Sequence, residues 1–106
     1  DYVTIASTGD STDFGDLTDR RHSGGGCSSS TRGVFGAGQY GPNTYSNVIE
    51  YITIASTGNG TDFGDLTNTR SYIAAAAGLT RAVFGGGSTG SLVNTIDYVT
   101  IGTTGN

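Results

Sequence analysis

Apolar and polar positions alternate with a period of two at the start of the chain, where Tyr2, Thr4 and Ala6 interleave with Val3, Ile5 and Ser7. That is the pattern of a pleated strand packed on one or both faces. β-Branched residues crowd the segment, which stops at Thr8-Gly9-Asp10, a turn signal. A short strand over residues 13–18 then closes a hairpin. Residues 21–29 include three successive glycines at 24–26, which exclude a helix there. Residues 31–38 form a further strand ending in glycines. The one competing signal is Tyr72-Ile73-Ala74-Ala75-Ala76-Ala77, whose alanine content suits a helix. It aligns with the glycine-rich 23–28 when the chain is laid over itself, and a shared fold makes both of them strands of small residues.

The self-alignment is extensive. Asp1–Thr18, DYVTIASTGDSTDFGDLT, returns at Glu50–Thr67 as EYITIASTGNGTDFGDLT, and its opening returns at Asp97–Asn106 as DYVTIGTTGN. Tyr2, Tyr51 and Tyr98 are therefore equivalent, 49 and 47 residues apart. Thr31-Arg32-Gly33-Val34-Phe35-Gly36 lies over Thr80-Arg81-Ala82-Val83-Phe84-Gly85. The chain divides into a first repeat at 1–49, a second at 50–96 and the start of a third at 97–106. A period near 50 belongs to propellers and arrays.

Four short strands per repeat describe the antiparallel blade of a β-propeller, with two blades in this chain. Thr-Arg-x-Val-Phe-Gly-x-Gly at 31–38 and 80–87, a variable loop, and then Val48-Ile49-Glu50-Tyr51-Ile52 or Thr95-Ile96-Asp97-Tyr98-Val99 resemble the kelch repeat. The Trp usual on the kelch fourth strand is absent, and Phe14/Leu17 and Phe63/Leu66 are the candidates for its packing role. The hairpins at 11–18 and 60–67 also resemble the Asp-box of sialidase-type propellers, which implies that Asp13 and Asp62 are turn residues. Asp10, Asp13 and Asp16 lack the longer ligand ladder and closing Glu of an EF-hand calcium loop.

Composition narrows the function. Leu, Ile, Val and Phe total 21 of 106 residues, and 19 glycines restore the share of a globular chain. Five Arg, no Lys and nine acidic residues give a net charge of −4, which speaks against nucleic acid as a partner. No apolar run has the length of a membrane span, and no signal-peptide pattern opens the chain. A cytoplasmic or virion location is the expectation, with no membrane partner. One Cys excludes a disulfide scaffold, and one His with one Cys makes no metal centre.

Several catalytic patterns match without their context. Residues 36–41 and 85–90 satisfy G-x-G-x-x-G, but a dinucleotide site needs a helix starting there. Residues 86–90 satisfy G-x-S-x-G, but a nucleophile elbow also needs a following helix and a nearby His. His22 and Cys27 are five residues apart on an extended segment and point to opposite faces, and Cys27 aligns with Ala76 as a small core residue. Asn59-Gly60-Thr61 has the form of a glycosylation sequon, but with no secretory signal in the sequence it reads as a turn. No cofactor and no catalytic residue is implied.

A binding face remains. In kelch-type propellers the loops between the second and third strands, and from the fourth strand to the next blade, share one face. The resemblance places Arg20, Arg21, His22, Gln39, Tyr40, Asn43, Tyr45 and Arg70 there. Tyr and Asn in such loops suit glycan or protein recognition, although the same residues also read as ordinary solvated loop positions. Arg32 and Arg81 recur at equivalent places, and we assign them to bracing neighbouring carboxylates. The alternative is a glycan-processing propeller related to sialidases, but the inner strands offer no acidic pair. Two blades close no ring, so the sequence predicts homo-oligomerisation, with a six-bladed trimer favoured. Residues 1–7 and 97–103 then compete for one third-strand slot, and residues 13–18 of a neighbouring copy are candidates for the missing outer strand.

Overall fold

The computed structural model describes residues 1–105 and is all-β, with nine strands and no helix among those residues. They are β1 (Gly25–Ser28), β2 (Arg32–Gly36), β3 (Gln39–Gly41), β4 (Thr44–Tyr45), β5 (Val48–Thr53), β6 (Thr61–Asp65), β7 (Ala74–Ala77), β8 (Arg81–Gly85) and β9 (Ile96–Thr100). A four-stranded antiparallel sheet has the order β1-β2-β5-β6, and a three-stranded one has the order β7-β8-β9. The alanine run is strand β7, paired in register with β8 from Ala74↔Gly85 to Ala77↔Ala82. Alanine's helix propensity loses to the sheet partner that the repeat supplies.

Two features depart from the sequence pattern. Residues 39–47, expected as a loop, contain the small hairpin β3–β4. Pro42 presets the turn, Asn43 sits at φ 54° and the Thr44 hydroxyl donates to the Pro42 carbonyl at 3.1 Å. Secondly, residues 1–18 do not form the expected strand pair. Only the bridge between Tyr2 and Thr12 is made, with N–H···O distances of 2.8 and 2.9 Å, while the equivalent β5–β6 hairpin pairs at four positions, with a shift of register between Ile49 and Glu50. Two strands without inner neighbours are marginal in water, and residues 1–18 have none. In the second sheet β9, from the C-terminal copy, occupies the third-strand position.

The core lies between the two sheets. The face of the first sheet bearing Val34, Ile49 and Cys27 meets the face of the second bearing Ala82, Phe84, Val99 and Ile101. Phe63 and Leu66 are buried there, and Tyr51 meets Phe63 edge-on with ring centroids 5.9 Å apart. Small residues let strands β1 and β7 close up: a Cβ on Gly25 would stand 3.0 Å from the Cβ of Ala75. A Cβ on Gly36 would stand 2.9 Å from Cε1 of Phe84, so the ring of one sheet rests on the bare backbone of the other.

Gly36→Ala therefore overpacks this interface and should destabilise the fold by about 1–3 kcal/mol, read from urea unfolding. Gly85→Ala, at the equivalent position with only Ile96 Cγ1 at 3.8 Å, should leave the midpoint of the isolated chain near wild type.

Candidate functional site

In the four-stranded sheet, the β2–β5 connection and the chain leaving β6 emerge at the same end. At this end the connections are tied to one another through their backbones. His22 and Gln39 exchange N–H···O bonds of 2.9 and 2.8 Å, and Ser71 and Ser88 exchange bonds of 3.0 and 2.9 Å. Gly38 N–H donates to the Arg70 carbonyl, Arg70 N–H to Ser46, Ser46 N–H to Gly38 and Tyr72 N–H to Ser23. The turn out of β2 is sharp, with Ala37 at φ 59° and Gly38 at φ 112°. Its counterpart after β8 has Gly86 at φ 68° and Gly87 at φ 102°. A side chain at 38 would press on the His22 carbonyl and one at 87 on the Ser71 carbonyl, so both positions need glycine on conformation and on space.

Beneath the loops lies a pair of equivalent polar clusters. Arg21 forms an ion pair with Glu50, and Arg70 forms one with Asp97 at 3.2 Å. Each carboxylate also accepts the N–H of a threonine on the chain leaving the preceding hairpin: Thr18 to Glu50 Oε2 at 2.8 Å and Thr67 to Asp97 Oδ2 at 3.0 Å. Arg70 further reaches the Phe84 carbonyl at 3.2 Å, and Arg21 the Val48 carbonyl at 3.5 Å. Glu50 and Arg70 are fully buried. Burial lowers the pKa of Arg21 and the nearby Asp19 raises it; the guanidinium stays cationic against Glu50.

This arrangement sorts the eight expected binding-face residues. Arg21 and Arg70 hold carboxylates in the interior and are withdrawn from the surface, because a guanidinium buried beside an acid cannot also meet a ligand in solvent. Gln39 is half-buried, its amide donating to the Gly41 carbonyl at 2.8 Å, and Tyr45 is half-buried on β4. Arg20, His22, Tyr40 and Asn43 are exposed, with His22 Nδ1 2.9 Å from the Ser23 hydroxyl. The structure thus brings His22 and Gln39 together and leaves Tyr40 and Asn43 on the projecting hairpin.

Among the described residues Arg32 and Arg81 form no ion pair with a carboxylate: they lie over the rings of Tyr51 and Tyr98, 4.2 and 4.5 Å from the centroids. Arg32 also donates to the Ile101 carbonyl of the other sheet at 2.7 Å. Asp62 acts as a turn acceptor, taking the Gly64 N–H at 3.2 Å. Cys27 is half-buried against the core, and burial pushes its thiol pKa up, which keeps it a protonated packing group. Among the described residues no three His, Cys, Asp or Glu side chains gather closely enough to hold a metal ion.

Sequence reasoning passed over Glu50, Asp97, Thr18 and Thr67. Their signal was present, since an acid precedes the aromatic of each third strand while Thr and Arg recur at 18 and 67 and at 21 and 70. No protein-family model matches the chain, and no curated protein does.

Glu50→Gln strands the Arg21 charge in the interior and should cost about 3–5 kcal/mol, visible as a lower urea midpoint. An unchanged midpoint would show that the pair contributes nothing.

Proposed function

We propose that the chain is a non-enzymatic module for recognition or assembly, in which the two sheets are kelch-like blades of a β-propeller and the loop end is the binding face. The observation carrying this reading is the loop end itself. Its connections are cross-linked by backbone hydrogen bonds and underpinned by buried Arg–carboxylate pairs, while Arg20, His22, Tyr40 and Asn43 stand in solvent above them. Side chains on a pre-ordered frame lose little freedom on binding, which favours recognition of a glycan or a protein surface.

The repeated clusters support the blade reading, because each joins one unit to the next with the same Thr, Arg and acid. Inner strands of Gly, Ala, Ser and Cys suit a crowded central axis, and β1 and β7 carry no carboxylate. Glycoside hydrolysis needs two acids flanking the scissile bond, so the sialidase-like alternative finds no support at that axis. Closure through copies of the chain, favoured as a six-bladed trimer, completes the reading.

On a glycan array run beside a glycosidase screen, the protein should bind without turnover, and His22→Ala with Tyr40→Ala should weaken binding by about tenfold or more. Binding that survives the loss of both side chains, or turnover of any substrate, overturns the reading. Light scattering should give about 32 kDa, three times the 10.7 kDa chain. A different multiple would replace the six-bladed ring with another closure.

A further inference from the structure

The two sheets are built from equivalent residues but are buried unequally. Val34 is 0% exposed and its equivalent Val83 is 37% exposed; Ile49 is 0% and its equivalent Ile96 is 71%. These residues lie on the face that the first sheet turns towards the second, and the second sheet turns the same face to solvent. The complementary face shows the reverse. Ile101 in the second sheet is 2% exposed, while Ile54, its equivalent in the first, is 45% exposed. The chain therefore ends on one side in an uncovered copy of the first half of its own interface, and on the other in an uncovered copy of the second half.

We propose that these two faces bind each other head to tail between copies of the chain, repeating the contact seen between its two sheets. The large residues of the internal contact recur at the outer faces, whereas Ile73, Ala75 and Ala82 are replaced there by Gly24, Gly26 and Gly33. Internally, the Phe84 ring lies over Gly36; between copies, Phe35 would lie over Gly85, where no atom but Ile96 Cγ1 comes within 4 Å of a built Cβ. Internally, Arg32 stacks on Tyr51 and donates to the Ile101 carbonyl. Arg81 already stacks on Tyr98, and in the repeated contact it would donate to the Ile54 carbonyl of a second copy.

The missing strand fits the same scheme. Among the described residues β9 pairs only with β8, whereas its equivalent β5 also pairs with β6, Thr61-Asp62-Phe63-Gly64-Asp65. The identical sequence Thr12-Asp13-Phe14-Gly15-Asp16 occurs near the N-terminus, joined to residues 1–7 by the Tyr2–Thr12 bridge and by an edge-on contact of Phe14 with Tyr2, ring centroids 6.0 Å apart. Beside the outer edge of β9 runs a groove of about 720 Å³ lined by Leu66, Ile96 and Tyr98. A second groove of about 640 Å³ separates Phe14 and Leu17 from Phe35 and Ile52, where the inner strands of a preceding sheet would stand. Residues 12–16 of one copy thus add to β9 of the other in the register that β6 takes on β5. Phe14 then exchanges its edge-on contact with Tyr2 for the same contact with Tyr98, as Phe63 meets Tyr51. Residues 1–7 yield the third-strand slot to β9, which is laddered at five positions while Ile5 is 97% exposed.

This rests on the blade reading only for the number of copies, since the same faces meet in a dimer, a closed ring or an open array. Gly85→Val fills the receiving face and Ile54→Asp puts a charge on the inserting face, both at positions open in the isolated chain. In sedimentation analysis the wild type should exceed 10.7 kDa, and each variant alone should remain at 10.7 kDa with an unchanged circular dichroism spectrum. Mixing the two variants leaves one intact pair of faces and should give a species near 21 kDa, twice the chain, and nothing larger. A wild type that stays at 10.7 kDa, a Gly85→Val variant that associates like wild type, or an equimolar mixture that stays at chain mass overturns the proposal. Should Gly85→Val fail to fold, Arg81→Gln takes its place, with the same expectation for the mixture. A wild-type mass other than about 32 kDa, together with a 21 kDa mixture, would remove the six-bladed ring and leave this interface standing.

Discussion

The arrangement of the molecule depends on a buried carboxylate that holds the chain as it passes from one hairpin to the next sheet. Glu50 and Asp97 each take a threonine N–H from the end of the preceding hairpin and an arginine from the segment that follows it. A carboxylate has lone pairs for both partners, and an arginine placed against it can be taken out of water without leaving a bare charge. The clamp fixes where each new sheet begins relative to the last. With that point fixed, the small residues of β1 and β7 can approach closely, and Phe84 can settle on Gly36. Without it, a core of so few large side chains would have little to set its register.

Burial follows from the clamp geometry. The first sheet has neighbours towards both faces: the second sheet on one side, and residues 14–18 along the outer part of the other. Gly58 N–H donates to the Phe14 carbonyl and Gly60 N–H to the Asp16 carbonyl, 2.8 and 2.7 Å. Strand β2 accordingly has buried residues on both faces, whereas β8 buries alternate residues only. The same RxVFG sequence thus adopts two burial patterns within one chain, and position in the array decides which.

Much of the fold was legible in the sequence, because period-two alternation and the internal repeat constrain one another. The alanine run 72–77 is the clearest instance: propensity alone favoured a helix, and alignment with Gly24-Gly25-Gly26 pointed to the strand that forms. The hairpin β3–β4 was not read, since the second repeat has a shorter segment there and the self-comparison offered no support. Arg21 and Arg70, unlike Arg20, depart from the expected surface for a different reason. An arginine between a hairpin and a strand looks solvated when residues are counted along the chain. Only the fold brings Arg21 to Glu50 and Arg70 to Asp97, 29 and 27 residues away in sequence. Arg32 and Arg81 meet a ring in place of a carboxylate, because the tyrosine two residues before the paired strand position lies under the guanidinium.

The joint made by Arg32 has an acceptor that no substitution short of chain rupture can delete. Its guanidinium bonds the carbonyl of residue 101, and a carbonyl is present whichever side chain that residue carries. Arg70 uses the Phe84 carbonyl in the same way. Half of each such contact is written into the polypeptide itself, and only the arginine must be specified by the gene. A repeat joined like this can drift at its acceptor positions after duplication and still dock on its neighbour, while a single change at the donor would uncouple the pair.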